Sequence, residues 1–411
     1  MKIRKAYKFK LKVSPSQARV LNNYAGACRF VWNKALALNL QRLNHQQRIM
    51  YYQELDFFSK LWKKSDDYGF LKECPSQTIQ QKLKDLERAF KDCFDKTQPT
   101  KRLPKFKRKG QHDSFRFPQG FKIHGDCVFL PKIGWLKFRK SRDISGQAKN
   151  ITVSKYASGW YISIQVEEEI AIHPHASSSM VGIDVGIARF ATLSTGAYVE
   201  PLNAFKKLAN KLKVLQRSLA RKVKFSNNWK KVKTLIQRLH AKIRNSRQDF
   251  LHKSSNDISK NHAMIVMEDL KIANMSKSAK GNIDNPGNHV KAKSGLNKSI
   301  LDQGWYEFRR QLVYKQQWRG GDVILVNPKN TSITCPNEGC GHSSKANRKT
   351  QSEFECQKCG YKGHADIVGA VNVLRLGHSR LACGDLVTDI SVTSDIESVS
   401  SLAQESARAS A

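Results

Sequence analysis

The sequence predicts a multidomain chain of mixed α/β and β character: a β-barrel carrying a helical insertion, then an α/β core interrupted by a four-cysteine ribbon. Three observations predict it. An alternating segment over residues 3–13 is followed by a long stretch of helical periodicity, and only then by further short β runs. Three acids, Asp184, Glu268 and Asp366, each border a separate apolar segment. Cys335, Cys340, Cys356 and Cys359 fall in two close pairs between the last two of those acids.

Ile3, Tyr7, Phe9, Leu11 and Val13 alternate with Arg4, Lys8, Lys10 and Lys12. This reads as a strand with one basic face, imperfect at Lys5. Ser14 is expected to cap the following helix, with Pro15 in its first turn. From there to Lys96 the period is helical. Leu21, Tyr24, Cys28, Val31, Trp32, Ala35 and Leu38 form one apolar stripe, and Leu83, Leu86, Phe90 and Phe94 another, with a boundary at Pro75-Ser76. Residues 98–110, QPTKRLPKFKRKG, read as a basic loop. Residues 112–168 read as β, in the runs FRFP, CVFLP, GWLKFR, ITVSKY and WYISIQVE. The expected barrel domain is therefore 1–13 and 99–172, with a helical insertion over 14–98. Trp135, Tyr156, Trp160 and Tyr161 are expected to pack within it, with base stacking as the alternative.

Residues 173–179 link to a second β region. Residues 181–193 read as two strands joined near Gly186, and a third strand follows around Tyr198. The segment from Lys206 to Lys260 is helical, with a break at 225–228, and carries 17 Lys/Arg against 2 Asp. A solvated surface usually mixes both signs, so this bias predicts a phosphate-tracking face. Its candidate residues are Lys206, Lys213, Arg217, Arg221, Lys230, Lys231, Arg238 and Arg244. A short buried strand over 263–267 ends at Glu268. Residues 273–299 read as a mobile polar loop, 301–318 as a helix and 322–326 as a strand. The core is thus expected over 178–334 and 364–376, with the ribbon at 335–363. Residues 377–411, rich in Ser and Ala, are expected to be a disordered tail.

The chain has 411 residues, 72 Lys+Arg against 34 Asp+Glu, a formal charge of +38 and a pI near 10.0. Such an excess works against compactness unless a polyanion balances it, which points to nucleic acid. An anionic membrane surface is the weaker rival, because the basic residues spread over the whole chain. There is no run of 18 apolar residues, so no transmembrane helix is expected. The first residues lack the apolar region of a signal peptide. A cytoplasmic protein, associated with the nucleoid when bound to DNA, is expected. Its nine cysteines are then thiols or metal ligands.

The cysteines carry the most specific local signal. Four residues separate Cys335 from Cys340, two separate Cys356 from Cys359, and fifteen lie between the pairs. Gly341 and Gly360 follow the second cysteine of each pair, as a knuckle turn needs. Four thiolates close a tetrahedral zinc shell and leave no open position, so the site is expected to be structural. His342 and His364 lie nearby but find no vacancy. Cys28, Cys74, Cys93, Cys127 and Cys383 lack such spacing and are expected to be buried or idle.

Each acid alone is a weak signal. Asp184 sits in VGIDVGI, where flanking glycines let a metal and a phosphate approach. Glu268 ends the strand MIVM. Asp366 opens the helical segment DIVGAVNV, where the helix dipole favours a carboxylate. Three acids on separate elements converge only in a shared core, and such a trio is what two-metal phosphodiester cleavage requires, with two divalent cations about 3.5–4 Å apart. Asp269 is the neighbouring alternative to Glu268; adjacent strand residues face opposite sides, so only one points inward. No Walker loop is present.

VGIDVGIARFATLSTG, NWKKVKTLIQRLHAKIRNSRQDFLHK, IVMEDL, LDQGWYEFRRQLVYK and TSITCP…FECQKCGYKGHADIVGAVNVL together resemble the TnpB (OrfB) proteins of insertion sequences, relatives of the type V CRISPR effectors. The resemblance spans residue 1 to about 376. It implies an RNase H-like RuvC nuclease core with Asp184, Glu268 and Asp366 as ligands for Mg2+ or Mn2+. It implies a zinc ribbon inserted before the last acidic motif, and a wedge-like barrel with a helical recognition insertion. It further implies an RNA-guided DNA endonuclease whose partners are a guide RNA from the transposon end and double-stranded target DNA next to a short adjacent motif. Two departures stand out: four residues rather than two part the first cysteine pair, and Val368 stands where an Asn is common, although Asn372 is kept. Two other readings remain open, a transposase acting directly on transposon DNA and a non-catalytic nucleic-acid-binding regulator.

Overall fold

The computed structural model describes residues 1–382, except 112 and 172. The described chain divides after Ile170 into two compact units.

In the first unit, β1 (Lys2–Lys12) leads into α1 (Pro15–Asn44). Ser14 caps that helix as expected: its Oγ accepts from the Gln17 amide at 3.2 Å, and the Gln17 side chain accepts the Ser14 amide at 2.9 Å. This reciprocal box satisfies two amides that the first turn leaves unpaired. Two more helices follow, α2 (Tyr52–Lys64) and α3 (Ser76–Phe94), the latter opening at the Pro75-Ser76 boundary. The remaining strands are β2 (Ser114–Phe117), β3 (Lys122–His124), β4 (Cys127–Leu130), β5 (Gly134–Phe138), β6 (Gln147–Tyr156) and β7 (Gly159–Glu169).

These strands form one seven-stranded sheet in the order β2-β6-β7-β1-β5-β4-β3. All its pairings are antiparallel, and among the described residues the ladder does not close between β2 and β3. β1 is the joint of the sheet. Its residues from Lys2 to Lys10 pair with β7, and Leu11 and Lys12 pair with β5. Period-two alternation buries Phe9, Leu11, Phe115, Phe117, Ile162, Ile164 and Val166 in one cluster with the stripes of α1 and α3. The basic face of β1 is partly neutralised, because Lys2 and Arg4 pair with Glu169 and Glu167 of β7, and Lys5 on the opposite face pairs with Glu168. That pairing explains the break in alternation at Lys5. Trp160 is buried, as expected, but Trp135 is 51% exposed, with an edge contact to Phe129.

The second unit is built on a five-stranded mixed sheet. Its strands are β8 (Met180–Asp184), β9 (Ala191–Leu193), β10 (Tyr198–Val199), β11 (Met264–Glu268) and β12 (Asp322–Val326), in the order β10-β9-β8-β11-β12. The first three are antiparallel neighbours, whereas β8, β11 and β12 run parallel. β8 and β11 are apolar up to their terminal acids, as strands covered on both faces must be. Between β10 and β11 lie α4 (Ala204–Ala220) and α5 (Asn227–Asn261). They pack through Leu208, Leu212, Leu215, Ile236, Leu239 and Ile243. The break between them falls at residues 221–226, slightly earlier than the sequence suggests.

Three expectations need correction. Residues 273–299 are not one loop: α6 (Ile272–Met275) and α7 (Val290–Gln303) lie at its two ends. The helix expected over 301–318 is split by Gly304, whose φ of +78° suits glycine, so α8 is Trp305–Arg319. α9 runs over Ala365–Ala382, six residues past the boundary placed at 376. The rest of the expected tail, and Cys383, lie outside the described residues. Between β12 and α9, a small hairpin of β13 (Glu353–Glu355) and β14 (Lys362–His364) carries the second cysteine pair. No described helix is long and apolar enough to cross a membrane.

Candidate active site

Parallel pairing brings the first two acids together. β8 and β11 are neighbours with Ile183 opposite Met267, so Asp184 and Glu268, one step further on, share the C-terminal edge of the sheet. The third acid arrives on α9. That helix lies very close to β8, with a glycine on each element at the crossing. A Cβ on Gly182 would stand 2.1 Å from the Ala370 carbonyl oxygen, and one on Gly369 would stand 2.9 Å from Asp184 Oδ2. Asp366 precedes Gly369 by three residues, hence lies on the same helix face, in the first turn.

The acids influence one another. Burial pushes the Asp184 carboxyl up to about 7, with the Glu268 and Asp366 charges adding to the effect and Arg348 opposing it. Burial also raises Glu268, against a hydrogen bond from Thr331 Oγ1 at 2.6 Å. Thr331 is itself held by the buried Asn372, whose Nδ2 donates to the carbonyls of Thr331 and Thr334 at 2.8 and 2.7 Å. The retained Asn372 thus fixes the segment that positions Glu268. Asp269 points away into a 2.7 Å ion pair with Arg309, which leaves Glu268 as the inward acid.

Arg348 has no counterpart among the residues expected at the site. It lies between the cysteine pairs, donates to the Gln351 carbonyl at 2.9 Å and approaches Asp366 Oδ1 at 3.9 Å. A cation carried by the ribbon therefore faces the carboxylates. The sequence offers no local pattern for it beyond a basic residue in the ribbon loop.

The four cysteines form a compact cluster, with all four sulfurs within 4.8 Å of one another. The Cys335–Cys359 and Cys340–Cys356 sulfurs stand 3.6 and 3.7 Å apart. Tetrahedral zinc with bonds of about 2.3 Å puts sulfurs about 3.8 Å apart, so the cluster fits a structural zinc ion. Gly341 and Gly360 adopt φ of +55° and +72°, as the two knuckles require. The wider first pair is absorbed by a turn in which the Cys340 amide donates to the Asn337 carbonyl and Gly339 adopts φ +76°. Among the described residues, this is the one set of three or more such side chains close enough to share a single ion. The carboxylates are interacting neighbours spread wider than that.

Of the candidate basic residues, Lys206, Lys213, Arg217, Arg221, Lys230, Lys231 and Arg238 are exposed on α4, α5 and the turn between them, and Arg244 is half-buried. Cys28 and Cys74 are buried against Thr78, as expected of thiols without a ligand role.

Comparison with known proteins places this mixed sheet and its cysteine ribbon in a class of insertion-sequence proteins. A family described as "Probable transposase" (OrfB_IS605) matches residues 162–279, and one described as "Cas12f1-like, TNB domain" matches 305–373. A "Helix-turn-helix domain" family matches residues 1–48, although the structure there is one strand and a single helix. "Putative RNA-guided DNA endonuclease InsQ" of Escherichia coli (strain K12) is 53% identical over 94% of this chain and 96% of its own length. A "Putative RNA-guided DNA endonuclease" of Streptomyces pristinaespiralis is 31% identical over 93% and 92%. A solved Cas12f1–sgRNA–target DNA complex aligns over 90% of this chain and 99% of that one at 16% identity, with a TM-score of 0.34, too slight a likeness to argue from. The chain belongs to the TnpB (OrfB) family.

Proposed function

We propose that this protein is an RNA-guided, divalent-metal-dependent DNA endonuclease that hydrolyses phosphodiester bonds in target DNA beside a short adjacent motif. The observation that carries the reading is that Asp184, at the C-terminal end of its strand, feels the charges of both Glu268 and Asp366, which with burial raise its carboxyl to about 7. Uncompensated carboxylates in a partly dry site are costly, and a cation is the natural remedy. The sheet, with three antiparallel strands leading into a parallel trio, supports an RNase H-like core of the RuvC type. The names of the two relatives support guidance by RNA and action on DNA.

Asp184, Glu268 and Asp366 would hold the ions, Mg2+ or Mn2+. Such ions supply a bound water of lowered pKa and neutralise charge on the phosphate. The chain's own work is positional. Thr331 holds Glu268 by its Oε1, leaving Oε2 for a cation. Gly369 leaves room for the Asp184 carboxylate. Arg348 offers a positive charge beside Asp366, suited to orienting a phosphate oxygen. The basic faces of α4 and α5 would track nucleic-acid backbones without reading sequence, leaving that to guide pairing as in other RNA-guided systems. The guide is proposed to come from the transposon end.

Replacing Asp184 by Ala tests this directly. Mg2+-dependent cutting by the RNA-loaded protein is expected to vanish while RNA binding persists; surviving cutting would refute the site. The family's description as a probable transposase keeps a second reading alive. Strand-transfer products from purified protein, transposon ends and target without RNA would favour it.

A further inference from the structure

We propose that the turn between α4 and α5 is a stacking site for an unpaired RNA base, with Phe225 as its platform. The proposal rests on the nucleic-acid reading above and extends it from backbone charge to base contact. The apolar seam of the two helices does not reach the turn; its members are Leu208, Leu212, Leu215, Ile236, Leu239 and Ile243. Beyond it, Val223 is 78% and Phe225 64% exposed. Packing in that seam thus gives no reason for a phenyl ring there.

Backbone conformation gives none either. Phe225 adopts φ +69°, a left-handed geometry that Gly or Asn takes with less strain. The turn is nonetheless well fixed. The Ser226 amide donates to the Val223 carbonyl at 3.1 Å, and the Ser226 hydroxyl caps α5 by accepting from the Trp229 amide at 3.1 Å. Trp229 lies beside Phe225, with ring centroids 5.5 Å apart and planes 59° apart. Despite this contact most of the Phe225 side chain stays exposed. A strained, exposed and fixed aromatic is poorly explained by folding and well suited to a contact made with something else.

The surroundings name that partner. Arg221, Lys222, Lys224, Lys230, Lys231 and Lys233 lie close to the two aromatics in sequence, all exposed, and no acid occurs from Arg221 to Lys233. Lys224 and Lys233 hold their amines 5.4 and 4.8 Å from the Phe225 and Trp229 centroids. An apolar protein partner would have to desolvate this charge, whereas a polyanion gains from it. An aromatic face ringed by cations is the combination that stacks a base while gripping its phosphates. RNA is the occupant of choice because its loops, bulges and ends offer unstacked bases, while duplex DNA keeps its bases inside the stack.

The test compares full-length wild type, Phe225→Ala and Phe225→Trp for binding a single-stranded oligo(A) RNA, a blunt RNA duplex and a blunt DNA duplex over a salt series. Phe225→Ala is expected to weaken the single-stranded RNA roughly 5- to 160-fold, the range of one lost base stack. The loss should be equal at every salt concentration, since no phosphate contact is removed. Phe225→Trp should restore binding, and neither duplex should respond. Unchanged single-strand affinity in Phe225→Ala, or a loss confined to DNA, overturns the stacking site alone. Failure of the wild type to bind any of the three probes overturns the nucleic-acid reading with it.

Discussion

Three glycines on or against α9 look alike in sequence and differ in what they protect. A Cβ on Gly182 would strike a backbone carbonyl, and one on Gly377 would stand 2.4 Å from Val266 Cγ2 in the core, whereas one on Gly369 would meet the tip of Asp184. Backbone and a buried valine cannot retreat, but a carboxylate can swing aside. Gly182→Ala and Gly377→Ala are therefore expected to lower the melting temperature by several degrees, a cost of at least about 1–3 kcal/mol for overpacking. Gly369→Ala should keep nearly wild-type stability and lose most cutting; a large loss of melting temperature instead would contradict this assignment. Thr331→Val removes, by a near-isosteric change, the hydroxyl that donates to Glu268 Oε1. Cutting is expected to fall about tenfold or more with RNA binding unchanged, and equal rates in the variant would deny Thr331 its positioning role.

At the scale of elements, the ribbon and the basic loop each make a claim. Zinc analysis should find about one ion per chain, lost in Cys356→Ser together with cutting, because Thr331 and Arg348 border or lie within the ribbon. Full zinc retention in that variant would contradict the four-thiolate shell. The 98–110 loop is strapped to α1: Trp32 Nε1 donates to the Lys105 carbonyl, and Asn33 bonds both backbone groups of Lys107. The Lys107 amine lies 3.6 Å from the Trp32 ring centroid. That ring favours the ammonium, yet burial outweighs it, and with Lys82 nearby pushes Lys107 down to about 7. Between that value and the ordinary lysine range, the unfolded chain binds more protons than the folded one, so this residue adds stability as pH rises through the window. Denaturant titrations of wild type and Lys107→Met should show the wild type gaining relative to the variant from about pH 7 to 10; parallel curves would contradict the shift.

The same scale shows why some elements are legible and others not. The strand bearing Asp184, the strand ending at Glu268 and the cysteine knuckles announce themselves through short apolar runs and spacing. The helix over Val290–Gln303 does not, since Ser294, Gly295 and Asn297 are poor helix formers. Tertiary bonds sustain it: Lys293 and Asn297 donate to the carbonyls of Met275 and Ser276, and Ile300 is buried. Its Asp302 accepts from the amides of Phe205 and Lys206 and pairs with Arg247 at 2.7 Å, so it also caps α4. Gly304 is hidden inside an apparently continuous periodic segment. Arg348 is illegible for another reason: its approach to Asp366 depends on how the ribbon folds back onto α9.

Over the whole molecule, charge and site belong to one account. A formal charge of +38 predicts strongly salt-dependent nucleic-acid binding. The acids form a small negative island in that positive field, and on the proposed reading cations occupy it while a phosphodiester lies across it. The most direct measurement is a structure of the RNA-loaded protein with Mn2+, read by anomalous scattering. The account predicts two manganese peaks about 3.5–4 Å apart, bounded by Asp184, Glu268 and Asp366. Peaks only at other positions, or none at saturating Mn2+, would contradict it.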